Sequence, residues 1–199
     1  MPRAMQLLTT PLGIVQRWRV YLLILFSTIL LTGCSGMDMK QFADTEPAFD
    51  LTEYFKGKTY AYGIFQSRGG TVERQFKVEI DGYFDGDTFV LDEDFTYDDG
   101  ETEKRVWRIT QTGENQYEGT AGDIVGKAEG RVVGQALNWR YVLDLPYGDG
   151  SIKLNFDDLM LRQSENVVIN RAIVRKFGIR VGEVTLFFTK TDPDAGNTL

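Results

Sequence analysis

The sequence predicts an all-β fold, an antiparallel meander barrel of about eight to ten strands with a short N-terminal helical turn. Three observations predict it. From Lys58 to Lys190 apolar and polar residues alternate with period two, the side-chain period of a half-buried strand. Turn-forming clusters punctuate these runs at Gly69-Gly70, Asp81-Gly82, Asp85-Gly86, Asp98-Asp99-Gly100, Gly113-Glu114-Asn115 and Gly148-Asp149-Gly150. Finally, 13% aromatic residues and 21 glycines against only 5 prolines suit strands joined by tight turns better than a helical bundle.

The elements follow in order. Asp50-Leu51-Thr52-Glu53 has the spacing of an N-cap with an acid three residues on, which predicts a helical turn from Leu51 to Phe55. In the strands that follow, one face is apolar and each such face carries a single charge. Arg74 sits among Val72, Phe76, Val78 and Ile80, and Glu93 among Phe89, Leu91, Phe95 and Tyr97. Arg105 is in phase with Trp107 and Ile109, and Asp158 with Ile152, Leu154, Phe156 and Met160. Arg171 falls between Val167, Ile169 and Ile173. The Gly-rich stretch around Gly122 and Gly126 adds Asp123.

If these faces line a barrel interior, Arg74, Arg105 and Arg171 meet Glu93, Asp123 and Asp158. A buried charge left without its partner costs about 3–5 kcal/mol, so such a set is expected to pair internally. Two readings of it stay open. In one, it is an ion network that fixes strand register, or a set of misphased residues facing water. In the other, the arginines hold a ligand carboxylate or phosphate at the base of an apolar cavity.

Composition removes several chemistries. The chain has 199 residues, no His and one Cys, so imidazole bases, Ser-His-Asp triads and His/Cys metal sites lack their residues. No catalytic residue, metal or cofactor is expected. The acid-rich stretch from Asp92 to Glu101 is not a calcium loop, because placing Gly100 sixth puts Phe95 first. Tyr60, Tyr62, Trp139 and Tyr141 read as barrel lining or rim. The net charge is −7, and the only charges before Cys34 are Arg3, Arg17 and Arg19, which leaves the remainder at −10. A nucleic-acid partner is not expected of such a surface.

The N-terminal segment carries an address. Arg17 and Arg19 precede an apolar run over 20–31 that is shorter than the roughly 20 residues needed to span a bilayer but suits a signal peptide. Leu31-Thr32-Gly33-Cys34 matches the lipobox of bacterial lipoprotein signals, and Met5 offers an alternative start. Lipidation at Cys34 is therefore expected, through a thioether-linked diacylglycerol and an N-acyl chain such as palmitate. Each buried methylene adds about 0.8 kcal/mol, so two such anchors hold the protein at a membrane. Once Cys34 is acylated, no thiol remains for a disulfide or for thiol catalysis. Ser35 in place of Asp resembles the outer-membrane sorting pattern of Gram-negative lipoproteins.

Phe55-Lys56-Gly57-Lys58-Thr59-Tyr60 is similar to the Gly-x-Trp opening of lipocalins and fatty-acid-binding proteins, with Thr59-Tyr60 where Trp would stand. A longer series runs through Arg74-Gln75-Phe76, Glu93-Asp94-Phe95, Arg105-Val106-Trp107, the stretch from Gly122 to Gly126, Ala136-Leu137-Asn138-Trp139, Asp157-Asp158-Leu159-Met160, Asn170-Arg171 and Lys176-Phe177-Gly178. In that order it resembles an uncharacterised Gram-negative lipoprotein family, the domain of unknown function 3833, in which Trp stands where Leu159 stands here. The resemblance implies a lipocalin-like barrel behind a lipobox and carries over no activity, ligand or site residue. The expected organisation is a signal peptide over 1–33, lipidated Cys34 and tether over 34–50, a barrel over 51–190 and a flexible tail over 191–199. The expected function is an outer-membrane-tethered lipoprotein, facing the periplasm, that binds a small apolar or lipid-derived ligand. The alternative is a structural or interaction lipoprotein of the cell envelope with a packed core, its protein partners not specified by the sequence.

Overall fold

The computed structural model describes residues 38–192 and residue 195. The segment expected to be a signal peptide, Cys34 and most of the expected tail lie outside the described residues. Ten strands follow in chain order: β1 (Gly57–Ser67), β2 (Val72–Asp85), β3 (Thr88–Tyr97), β4 (Thr102–Gly113), β5 (Gln116–Thr120), β6 (Ala128–Val133), β7 (Ala136–Tyr147), β8 (Gly150–Arg162), β9 (Val167–Lys176) and β10 (Ile179–Thr189). Each pairs antiparallel with its sequence neighbour. Pairing of β1 with β10, from Tyr60 opposite Thr189 to Ser67 opposite Gly182, closes the barrel. Closure leaves no sheet edge exposed to template aggregation.

The helical turn α1 (Leu51–Phe55) forms where the cap predicts it, with the Asp50 carboxylate accepting from the Glu53 amide at 2.9 Å. It closes one end of the barrel. Leu51, Tyr54 and Phe55 are buried, and the Phe55 ring meets Phe188 edge-on at 5.5 Å. Gly82 makes that seat: a Cβ there would lie 1.9 Å from the Phe55 carbonyl oxygen. Asp81-Gly82 is therefore not a turn, as its composition suggests, but part of β2, and the glycine serves close approach of two backbones.

The segment expected to be a tether is also different from Met39 onward. A 3-10 turn (Met39–Phe42) packs on β6 and β7, the Phe49 amide donates to the Gly134 carbonyl at 2.8 Å, and Phe49 joins the core. Arg162 clamps it, donating to the Ala48 carbonyl at 2.8 Å and to Glu53 at 3.1 Å. Apolar Phe42 and Phe49 give this stretch more to gain from packing than a polar spacer has. At the far end, β5 is short, and the Gly-rich stretch completes the wall. Ile124 bridges Leu143, and the Asp144 amide donates to the Asp123 carbonyl at 2.8 Å, which fixes Asp123 beside β4 and β7.

Candidate ligand-binding cavity

The barrel encloses a cavity of about 400 Å³, which runs from Leu51 and Phe55 at the helix end to Glu73, Arg74 and Leu145 at the other. That volume is within the range of small-molecule sites. Its wall is mainly aromatic and aliphatic. Trp107 meets Trp139 at 5.7 Å and Tyr141 at 5.5 Å, both edge-on, and Tyr141 stacks on Phe156 at 4.9 Å. Glycines on the neighbouring strands make room for the Trp139 indole: a Cβ at Gly119 or Gly130 would lie 2.7 or 2.4 Å from it.

Arg105 is the cationic centre. Its side chain is 13% exposed, Nε donates to Asp123 at 2.8 Å and Nη2 to Glu103 at 2.8 Å. The other Glu103 oxygen accepts from the Tyr97 hydroxyl at 2.8 Å. Glu93, opposite Arg105 in the β3–β4 register, faces the cavity. Burial pushes its carboxyl up from 4.5 to about 7, against the pull of the Arg105 charge and the Trp107 indole donor. Asp158 is 5% exposed and lines the same space. Its Oδ2 accepts from Asn170 at 3.2 Å, while Oδ1 is buried without a hydrogen-bond partner. Burial raises this carboxyl from 3.8 to about 7, with the Asn170 bond opposing the rise. Burial also holds the Tyr141 hydroxyl well above its ordinary value, with Asp158 and Glu93 adding to the rise.

The structure thus brings Glu93, Arg105, Asp123 and Asp158 together, sets Arg74 at one end of the same cavity and places Arg171 outside it. Arg74 is at the mouth. Its guanidinium lies 3.6 Å from the Tyr97 ring centroid and pairs with Asp99 at 2.9 Å and Glu101 at 2.7 Å on the β3–β4 loop. Arg171 is outside the barrel, 2.7 Å from Glu183. The inward face of β9 is Val168, Asn170, Ala172 and Val174, the opposite phase to the expected one. Because β9 carries β-branched residues on both faces, hydrophobicity alone does not set its register.

Of the three expected arginines, Arg105 lies among Glu93, Glu103, Asp123 and Asp158, Arg74 lines the mouth of the same cavity, and Arg171 is outside it. Arg74 and Arg105 each pair with two carboxylates, and the Arg74 Nε is buried without a hydrogen-bond partner. Glu103 and Asn170 are new members of the site. The signal for Glu103 is its phase with Arg105 and Trp107, and Asn170 is set by the β9 register alone. Among the described residues, no group of three or more His, Cys, Asp or Glu is arranged to hold a metal ion.

A closed ten-stranded meander around an apolar cavity with charged groups inside defines a lipocalin-like barrel. The chain belongs to the family described as "Protein of unknown function (DUF3833)", which matches residues 28–190. Among solved structures it is similar to the S-type phycobiliprotein lyase CPES from Guillardia theta, with a TM-score of 0.53 at 8% identity, over 77% of this chain and 96% of that one. At that identity the likeness concerns the fold alone. No curated protein matches the sequence.

Proposed function

We propose that this chain is an outer-membrane-tethered lipoprotein, acylated at Cys34 and facing the periplasm, whose barrel holds one small apolar or lipid-derived ligand. The observation that carries the ligand reading is the cavity of about 400 Å³ with a mainly aromatic and aliphatic wall. The lipobox at Leu31-Thr32-Gly33-Cys34 supports the anchor. For the chain from Ser35 onward, mixed with an envelope lipid extract, native mass spectrometry should show a one-to-one adduct. No adduct, together with an experimental structure whose interior is filled by side chains, would sink the ligand reading. In cells, an alkynyl palmitate analogue should label the wild-type protein and not Cys34→Ser, and equal labelling of the two would sink the anchor. A second reading, an envelope interaction protein, is favoured by Phe177, 90% exposed, and Tyr147, 73% exposed, at hairpin tips remote from α1. Crosslinking in intact cells that returns a reproducible protein partner would support it.

A further inference from the structure

We infer that the polar end of the ligand is a protonated amine, seated between Glu93 and Asp158 against the rings of Trp107 and Tyr141. The inference rests on the cavity being the ligand site and adds the chemistry of the head group.

Asp158 supplies the first argument. It is 5% exposed, forms part of the cavity wall, and leaves Oδ1 buried with no donor. A buried acceptor without a partner is costly, and a donor brought by the ligand relieves that cost. An ammonium brings up to three donors and no acceptor. A ligand carboxylate brings none and would meet Asp158 as a like charge.

Charge balance supplies the second. Arg105 is bonded to Glu103 and Asp123 and is also the cation that acts on Glu93 and Asp158, so four carboxyls share one guanidinium. Glu93, Tyr141 and Asp158 line the same cavity. Burial raises both carboxyls toward neutrality, and the single charge of Arg105 only partly opposes the rise. A cation placed there neutralises them, and the groups that face it are Glu93, Glu103, Arg105, Asp123, Tyr141 and Asp158.

The aromatic wall supplies the third. Trp107 stands edge-on to both Trp139 and Tyr141, and all three rings line the cavity with Glu93 and Asp158. Cations are attracted to such faces, more strongly where water is excluded. The aliphatic and aromatic remainder of the cavity then takes the apolar body of the ligand.

The test compares three probes of one chain length, dodecylamine, dodecanol and dodecanoate, each kept below its micelle concentration. The protein is the chain from Ser35 onward, whose barrel closes on itself and carries its own core. Binding is read from tryptophan emission, which there reports on the cavity alone: Trp107 and Trp139 line it, and Trp18 precedes Cys34. At about pH 8, where both carboxyls are ionised, the amine should bind about tenfold or more tighter than either other probe. Asp158→Asn and, independently, Glu93→Gln should reduce the ratio of amine to dodecanol affinity to about threefold or less. Neither substitution alters the acidic exterior, so loss of preference separates the cavity from general attraction to a protein of net charge −10 after Cys34. If all three probes bind equally, or dodecanoate binds best, the amine inference falls and the apolar cavity stands. An unchanged preference in both folded variants also overturns the inference. If none of the three binds, the cavity reading falls with it.

Discussion

Replacing Arg105 by methionine is expected to destabilise the barrel by about 3–5 kcal/mol at neutral pH. The guanidinium is the one positive group among Glu93, Glu103, Asp123 and Asp158, and its own bonds to Glu103 and Asp123 are 2.8 Å long. Methionine fills much of the same volume and removes the charge, which leaves carboxylates in a space that screens them poorly. Urea unfolding of Arg105→Met beside wild type measures the loss as a fall in midpoint at unchanged slope. Arg171→Met is the matched control. Its partner Glu183 is outside the barrel and the Arg171 side chain is 58% exposed, so the loss there should be about 0–1 kcal/mol. Equal losses at the two positions would contradict the interior placement of Arg105.

The second large effect is a fall in stability as pH rises from about 5 to about 8. Glu93 and Asp158 have ordinary values of 4.5 and 3.8, and both are raised to about 7 in the folded barrel. Between the unfolded and folded values the native state binds more protons than the unfolded chain, so stability decreases with pH there. The contribution of the two groups is fully present below their ordinary values and is lost as pH passes through about 7. A tenfold difference in proton affinity between the folded and unfolded chain is worth about 1.4 kcal/mol, and the two carboxyls interact, so the combined fall across this window should be on the order of 3–6 kcal/mol. Urea midpoints at a series of pH values check this. The double variant Glu93→Gln, Asp158→Asn should be more stable than wild type at about pH 8 and nearly flat across the window. A wild-type midpoint that rises from pH 5 to pH 8 would contradict the burial of this pair.

Much of the architecture is legible in the sequence because alternation on β2, β3, β4 and β8 is clean. Phe76, Val78 and Ile80 face in together, as do Trp107 and Ile109, and closing ten such strands satisfies every one of those faces at once. Glu93, Arg105 and Asp158 stand out as charges in apolar phase, and the structure places all three on the cavity wall. Asp123 is suggested by the glycines around it, and its bond to Arg105 depends on a loop that completes the wall beside β5. What the sequence hides has physical causes. Val167, Ile169 and Ile173 on the outer face of β9 compete with Val168 and Val174 on the inner one, so periodicity puts Arg171 on the wrong side. Gly82 reads as a turn residue because the Phe55 carbonyl that packs over it comes from an element 27 residues earlier in the chain. The pairing of Arg74 with Asp99 and Glu101 is a property of a hairpin loop, which strand periodicity does not describe.

The barrel interior admits an apolar guest if the cavity is a binding site. Bromine quenches tryptophan on contact, so the direct measurement is titration of the chain from Ser35 onward with a terminally brominated long-chain alcohol. Trp107 and Trp139 line the cavity and are the tryptophans that remain after Trp18 is removed. Quenching should saturate at one equivalent and be reversed by the unbrominated alcohol. Weak, linear quenching no greater than that of free bromide would show that nothing enters the barrel.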